Sequence, residues 1–190
     1  LIRAHRLEDP YYRDNELKVQ WVEQKEWEYR RVFRVAEDFL GHDRIILECC
    51  GLDTIAKVYL NGRVLAATCN MFVEHEFDVK PFLRAGENEI RIVFRSVLAW
   101  NKEQIAAEPR VTWDDAQGVD NEKGTSFFVR KCGADFGWDW GLRLLSCGIW
   151  RPIRLAAFDG ARLTDLLIGQ DLRDPERAML DVRARIDRFA

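Results

Sequence analysis

A chain of 190 residues, 47% hydrophobic and 12% aromatic, holds enough apolar surface for one domain and a remnant, or for two small domains. Charged residues make up 32% but nearly balance to a net −3, which excludes the clustered basic excess of a phosphate-tracking nucleic-acid surface. No apolar run approaches the roughly 18–20 residues of a membrane span, and no charged-then-apolar signal block opens the chain. The first residues begin mid-pattern, so a preceding segment is expected.

The first 26 residues are polar and aromatic, with Asp9-Pro10-Tyr11-Tyr12 reading as an irregular lead-in. Trp27–Val35 is the first predicted strand; its alternation slips at Arg30-Arg31, which predicts a bulge. Residues 45–50 are apolar enough for a central strand. Two further runs, 56–60 and 63–65, flank Asn61-Gly62, the strongest short signal for a hairpin. Residues 72–79 place Val73, His75, Phe77 and Val79 on one face, and Pro81 ends that strand. A turn over 84–88 leads into 89–95, where Ile90, Ile92 and Phe94 alternate with Glu89, Arg91 and Arg95, the pattern of a half-buried antiparallel strand.

Residues 97–107 suit a helical turn or two. Residues 108–124 read as a long loop carrying Trp113-Asp114-Asp115 and Asp120-Asn121-Glu122. These carboxylates lack the spacing of an EF-hand loop and read as a solvated acidic stretch. Strands are predicted again over 127–131 and 149–158, and Asp159-Gly160 reads as a boundary. Beyond it, 163–168 and 179–186 are two more strand candidates, the second alternating Leu180, Val182, Ala184 and Ile186 against charged residues. Many short strands with little helix predict an all-β sandwich or jelly roll over residues 1–160. Residues 161–190 hold too few strands for a domain, since an isolated hairpin is marginal. They are expected to begin a second, truncated one.

The five cysteines, Cys49, Cys50, Cys69, Cys132 and Cys147, are odd in number and include no C-x-x-C pair. They suggest neither a disulfide framework nor a zinc site, and read as buried free thiols in a reducing, cytoplasmic compartment. His5, His42 and His75 are scattered singly, and no metal or cofactor is expected.

One stretch carries chemistry: Phe136-Gly137-Trp138-Asp139-Trp140-Gly141, with Gly148-Ile149-Trp150-Arg151-Pro152 behind it. Glycine at each end permits a tight projecting loop. Indole faces suit the apolar C–H face of a pyranose, and a carboxylate accepts two hydroxyl donors. Trp138, Asp139 and Trp140 are therefore what a sugar site needs. The residues alone favour a second reading, with both indoles in the core and Asp139 capping a turn. Arg130-Lys131 is expected to pair with Asp139 or to steady the loop, or equally to be a solvated pair at a strand end, and Trp150 to be a core residue.

Leu52-Asp53-Thr54-Ile55-Ala56 with Val58-Tyr59-Leu60-Asn61-Gly62 resembles the sugar-binding, galactose-binding-like jelly roll at the N-terminus of glycoside hydrolase family 2. Asn70-Met71-Phe72 and Gly86-Glu87-Asn88 are similar to later parts of that domain. Arg130-Lys131, the segment 136–141 and Gly148-Ile149-Trp150-Arg151-Pro152-Ile153 narrow the likeness to the β-mannosidase branch, over roughly residues 10–170. Leu142 departs from it, because mannosidases usually carry Pro there.

The resemblance implies a retaining hydrolysis of terminal, non-reducing β-mannose, which needs two carboxylates about 5–5.5 Å apart. In the family both are glutamates of a (β/α)-barrel downstream, so no catalytic residue is expected in this chain and the fragment alone is expected to be inactive. The resemblance assigns Trp138, Asp139 and Trp140 to substrate binding, and residues 161–190 to the first strands of an immunoglobulin-like domain. The expected partners are a β-mannoside or manno-oligosaccharide and the immunoglobulin-like and barrel domains. The C-terminal strands are expected to dock on the jelly roll or to pair with a second copy in a homodimer; nucleic acid and membrane are not expected partners. Two alternatives stand beside the enzyme: a stand-alone carbohydrate-binding module and a structural sandwich.

Overall fold

The computed structural model describes residues 1–108 and 128–189. The acidic pairs Asp114-Asp115 and Asp120/Glu122 lie outside the described residues. The lead-in is less irregular than expected: 3-10 turns at Ile2–Ala4 and Gln20–Gln24 flank α1 (Asn15–Val19). There follow β1 (Trp27–Val35), β2 (Arg44–Cys49), β3 (Leu52–Asp53), β4 (Ala56–Leu60), β5 (Arg63–Thr68), β6 (His75–Asp78) and β7 (Gly86–Phe94). After α2 (Val97–Ala107) come β8 (Gly148–Ile149), β9 (Ile153–Phe158), β10 (Ala161–Asp174) and β11 (Arg177–Arg188).

Two antiparallel sheets, ordered β1-β7-β4-β5 and β6-β2-β9, form the sandwich. Its core is built by alternation: Ile45, Leu47 and Cys49 from β2 meet Ala56, Val58 and Leu60 from β4 and Ile92 and Phe94 from β7. Each large apolar side chain so buried contributes about 1.5–3 kcal/mol. β2 is the central strand of its sheet, between β6 and β9, and is buried on both faces after Arg44; its Glu48 is neutralised by Arg154 of β9 directly opposite.

The Asn61-Gly62 turn joins β4 to β5 with both residues at positive φ, 50° and 80°, as a type I′ hairpin requires. Asn61 Nδ2 donates to Phe82 O at 2.8 Å and to Asn88 Oδ1 at 2.7 Å, while Asn61 Oδ1 accepts from Glu89 N at 2.9 Å. The hairpin is thus tied to the start of β7.

The bulge expected at Arg30-Arg31 is absent, since β1 and β7 pair without a shift from Trp27↔Phe94 to Val35↔Gly86. β1 is an edge strand whose side borders an open cleft of about 610 Å³ lined by Tyr29, Phe33, Ile153 and Leu155 with arginines among them. A strand so placed need not alternate strictly, and the irregularity lies instead between Val58 and Tyr59 in the β4–β5 pairing.

The single strand expected over 149–158 is two, broken at residues 150–152. Pro152 has no N–H to give, and its carbonyl accepts from Cys50 N at 3.0 Å while Trp150 N donates to Gly51 O at 3.3 Å. A Cβ on Gly51 would lie 2.5 Å from Trp150 Nε1, so glycine lets the indole lie across the backbone. Trp150 is therefore not the expected core residue; it is 45% exposed, with Arg151 stacked on its ring at 4.2 Å. Of the strand expected over 127–131, the described residues keep only a parallel bridge, Asn70↔Arg130. The expected turn or two of helix after β7 is the eleven-residue α2. Ser96 caps it by accepting from Ala99 N, and its hydroxyl donates to Glu23 O at 2.6 Å, pinning the lead-in. No helix among the described residues is long and apolar enough to cross a membrane.

β10 and β11 pair only with each other among the described residues. Their cross-strand pairs put Leu163, Leu166, Ile168, Leu180, Val182 and Ile186 on one face, Leu163 joining it because the register shifts between Leu163 and Asp165. The hairpin is tethered at its base, where Arg162 pairs with Glu76 and Phe189 packs against Phe158. Its apolar face is exposed, so it does not dock on the jelly roll.

Candidate carbohydrate-binding loop

Between Lys131 and Gly148 the chain leaves the sandwich and returns. A 3-10 turn over Gly133–Phe136 ends at Gly137, whose φ of 98° suits glycine. Trp138 to Gly141 then form a four-residue turn closed by Gly141 N donating to Trp138 O at 3.3 Å. Gly141 itself needs no special φ, so only one of the two glycines acts as the sequence suggested.

Asp139 and Trp140 occupy the middle of this turn. Trp140 is 82% exposed and Trp138 39%, so neither indole is a core residue. Asp139 is exposed and makes no hydrogen bond or ion pair to the described residues, so it caps nothing and is not paired with Lys131. The structure brings all three residues together at the tip, with two indoles flanking a free carboxylate.

What holds the tip out lies beneath it. Phe136 and Leu145, one on each limb, are buried with Ile55, Val97 and Val129 in a second core. Lys131, expected to be solvated, to pair with Asp139 or to steady the loop, does the last of these: its side chain is fully buried, its Nζ 2.5 Å from Asp53 Oδ2 and 2.6 Å from Asp135 Oδ2. Asp53 also accepts from Thr54 Oγ1 and from Ser146 Oγ at 3.3 Å. Breaking such a pair by removing one partner costs about 3–5 kcal/mol, because the other charge is left buried. Sequence reading missed Asp53; the available signal was a carboxylate inside the apolar run Leu52-Asp53-Thr54-Ile55. The Cys147 thiol is pushed up to about 11, first by burial and then by the Asp53 carboxylate, with Lys131 opposing.

The lead-in braces the outer side. Arg143 Nη1 lies 2.7 and 2.6 Å from the two Glu23 carboxylate oxygens and also donates to Gln20, whose Nε2 donates back to Arg143 O at 2.9 Å. Between lead-in and loop runs a cleft of about 660 Å³, bordered by Leu7, Pro10, Tyr11, Trp140 and Leu142.

A sandwich of two unequal antiparallel sheets with a projecting aromatic and acidic loop places the chain in the galactose-binding-like class of β-domains. The chain belongs to the glycosyl hydrolase 2 galactose-binding-domain-like family, whose model matches residues 1–151. It is 38% identical over 189 residues to beta-mannosidase B of Aspergillus terreus, covering 98% of this chain and 22% of that protein. A second relative, beta-mannosidase B of Thermothelomyces thermophilus, is 38% identical over 160 residues, 84% of this chain and 18% of the relative. The chain thus spans about a fifth of the length of the curated relatives it matches. The crystal structure of the beta-D-mannosidase from Dictyoglomus thermophilum superposes with a TM-score of 0.88 at 35% identity, over 99% of this chain and 22% of that one. The Amycolatopsis orientalis exo-chitosanase, at 19% identity and a TM-score of 0.69, shares the fold.

Proposed function

We propose that this chain is the N-terminal part of a retaining β-mannosidase that hydrolyses terminal non-reducing β-D-mannose, supplying one wall of the substrate pocket and no catalytic carboxylate. The observation that carries this is the exposed Trp138-Asp139-Trp140 turn with its unengaged carboxylate, on a chain whose relatives at 35–38% identity bear the name β-mannosidase. In this reading the indoles border the sugar ring and Asp139 accepts from its hydroxyls. The full-length protein is expected to cleave a chromogenic β-mannoside in preference to β-galactosides and β-glucuronides, with β-mannose as the first product seen by NMR. An α-anomer, or preference for another glycoside, overturns the proposal. Calorimetry on the isolated chain separates the alternative of a stand-alone module: one wall of a pocket binds mannose no better than millimolar, whereas a finished module reaches micromolar.

Residues 1–160 are read as the sugar-binding jelly roll and 161–190 as the first strands of an immunoglobulin-like domain. The positive φ of Gly160 and a hairpin paired only with itself among the described residues support that boundary. Further strands of the same polypeptide then cover the apolar hairpin face, and in the isolated chain a second copy does so, giving a two-fold dimer. Of the five free thiols only Cys49 and Cys50 are buried as expected, Cys69 being exposed and Cys132 and Cys147 intermediate; unpaired thiols support a reducing, cytoplasmic location.

A further inference from the structure

The loop that carries Trp138, Asp139 and Trp140 has an outgoing limb starting at Lys131 and a returning limb ending at Ser146 to Gly148, and both limbs converge on one side chain. Asp53 lies in β3, directly opposite Gly148 of β8. Its Oδ2 accepts from Lys131 Nζ at 2.5 Å on the outgoing limb and from Ser146 Oγ at 3.3 Å on the returning limb. Its Oδ1 accepts from Thr54 Oγ1, so both oxygens are engaged. The Lys131 ammonium in turn reaches Asp135 at 2.6 Å, inside the 3-10 turn that leads to Gly137. The Lys131 side chain has no solvent exposure, and turning either group away would leave a charge unpaired out of water. The apolar contacts of Phe136 and Leu145 exclude water from the loop base but have no direction of their own. Charge-assisted hydrogen bonds do have direction, and here they tie the two limbs at one separation.

We infer that Asp53 and Lys131 are positioning residues for sugar recognition. They touch no substrate; by clamping both limbs of the loop they set where the Asp139 carboxylate stands. The inference rests on Asp139 being a sugar contact, and its test keeps the two ideas apart.

The test is a double-mutant cycle in the full-length enzyme, with Asp53→Asn, Asp139→Ala and the pair, read by kcat and KM on a β-mannoside beside thermal unfolding. Asp53→Asn is expected to lower kcat/KM about tenfold while folded, as a displaced contact does. Adding Asp139→Ala to it should then cost far less than Asp139→Ala costs in the wild type, since one lesion acts through the other. Additive losses, or wild-type kinetics in a folded Asp53→Asn enzyme, overturn the inference. If Asp53→Asn does not fold, Ser146→Ala carries the same cycle, because Ser146 is exposed and gives up only the bond to the returning limb. A loss of about threefold, again non-additive with Asp139→Ala, is expected there; unchanged kinetics or additivity overturns the inference. Wild-type kinetics in the Asp139→Ala single variant removes the sugar-contact reading itself, and this inference with it.

Discussion

Trp140 and Leu180 both stand in water, at 82% and 60% exposure, yet they belong to regions built on opposite principles. The loop bearing Trp140 is short, anchored on both limbs by buried Phe136 and Leu145, and clamped by Asp53 and Lys131. The hairpin bearing Leu180 is long, and the described residues tie it to the sandwich only near its base, through Arg162 and Phe189. A braced exposed aromatic fits a ligand, because the cost of ordering it is met before binding. An unbraced apolar strand face fits a missing layer of structure. Exposure alone does not separate the two; what lies underneath does.

The largest expected effect concerns what the braced loop lacks. Its tip offers one carboxylate, Asp139, and Asp135 is taken up by Lys131, whereas retaining hydrolysis needs two. The isolated chain is therefore expected to release no chromophore from a β-mannoside above a heat-treated control, and measurable turnover would falsify the division of labour proposed above.

Next in size is the brace itself. Phe136→Ala should destabilise the chain by about 3–5 kcal/mol in denaturant unfolding, as deletion of a buried ring does. A change below about 1 kcal/mol, closer to that of a surface substitution, would show that the second core does not hold the loop.

A smaller effect follows at the tip. Asp139→Ala in the full-length enzyme should reduce kcat/KM on a β-mannoside by about 1.5–3 kcal/mol, the worth of a charge-assisted hydrogen bond. The melting temperature should not move, because Asp139 is exposed and makes no hydrogen bond or ion pair to the described residues. Loss of stability alongside loss of activity would place Asp139 in the brace instead.

The smallest effect on the sandwich should come from removing the hairpin. A chain ending at Gly160 is expected to melt close to the longer one, since β10 and β11 share no sheet with the rest of the described residues. Light scattering should show the full chain as a dimer and the shortened one as a monomer. Equal masses would break the reading of the hairpin face as a self-pairing surface.

Much of the sandwich was legible because its elements obey local rules. Ile90, Ile92 and Phe94 alternate, and Ile92 and Phe94 are in the core. Asn61-Gly62 demands positive φ twice, and the chain turns there. The trio 138–140 sits between residues that favour a turn, and it forms one. Less was legible where packing from elsewhere decides: the uninterrupted β1, the exposed Trp150 and the helical pieces of the lead-in each depend on a neighbour distant in sequence.

The sequence by itself determined which residues face inward along β7, where the hairpin closes, and that two indoles and a carboxylate share one short turn. Periodicity and backbone preference act over a few residues and need no partner. Only the tertiary structure decided what those features are attached to. Asp53 meets Lys131 across 78 positions and Ser146 across 93, and Gln20 meets Arg143 across 123. Such pairings exist only once the sheets have stacked and brought the limbs of the loop against β3, because burial is what makes each charge require that particular partner.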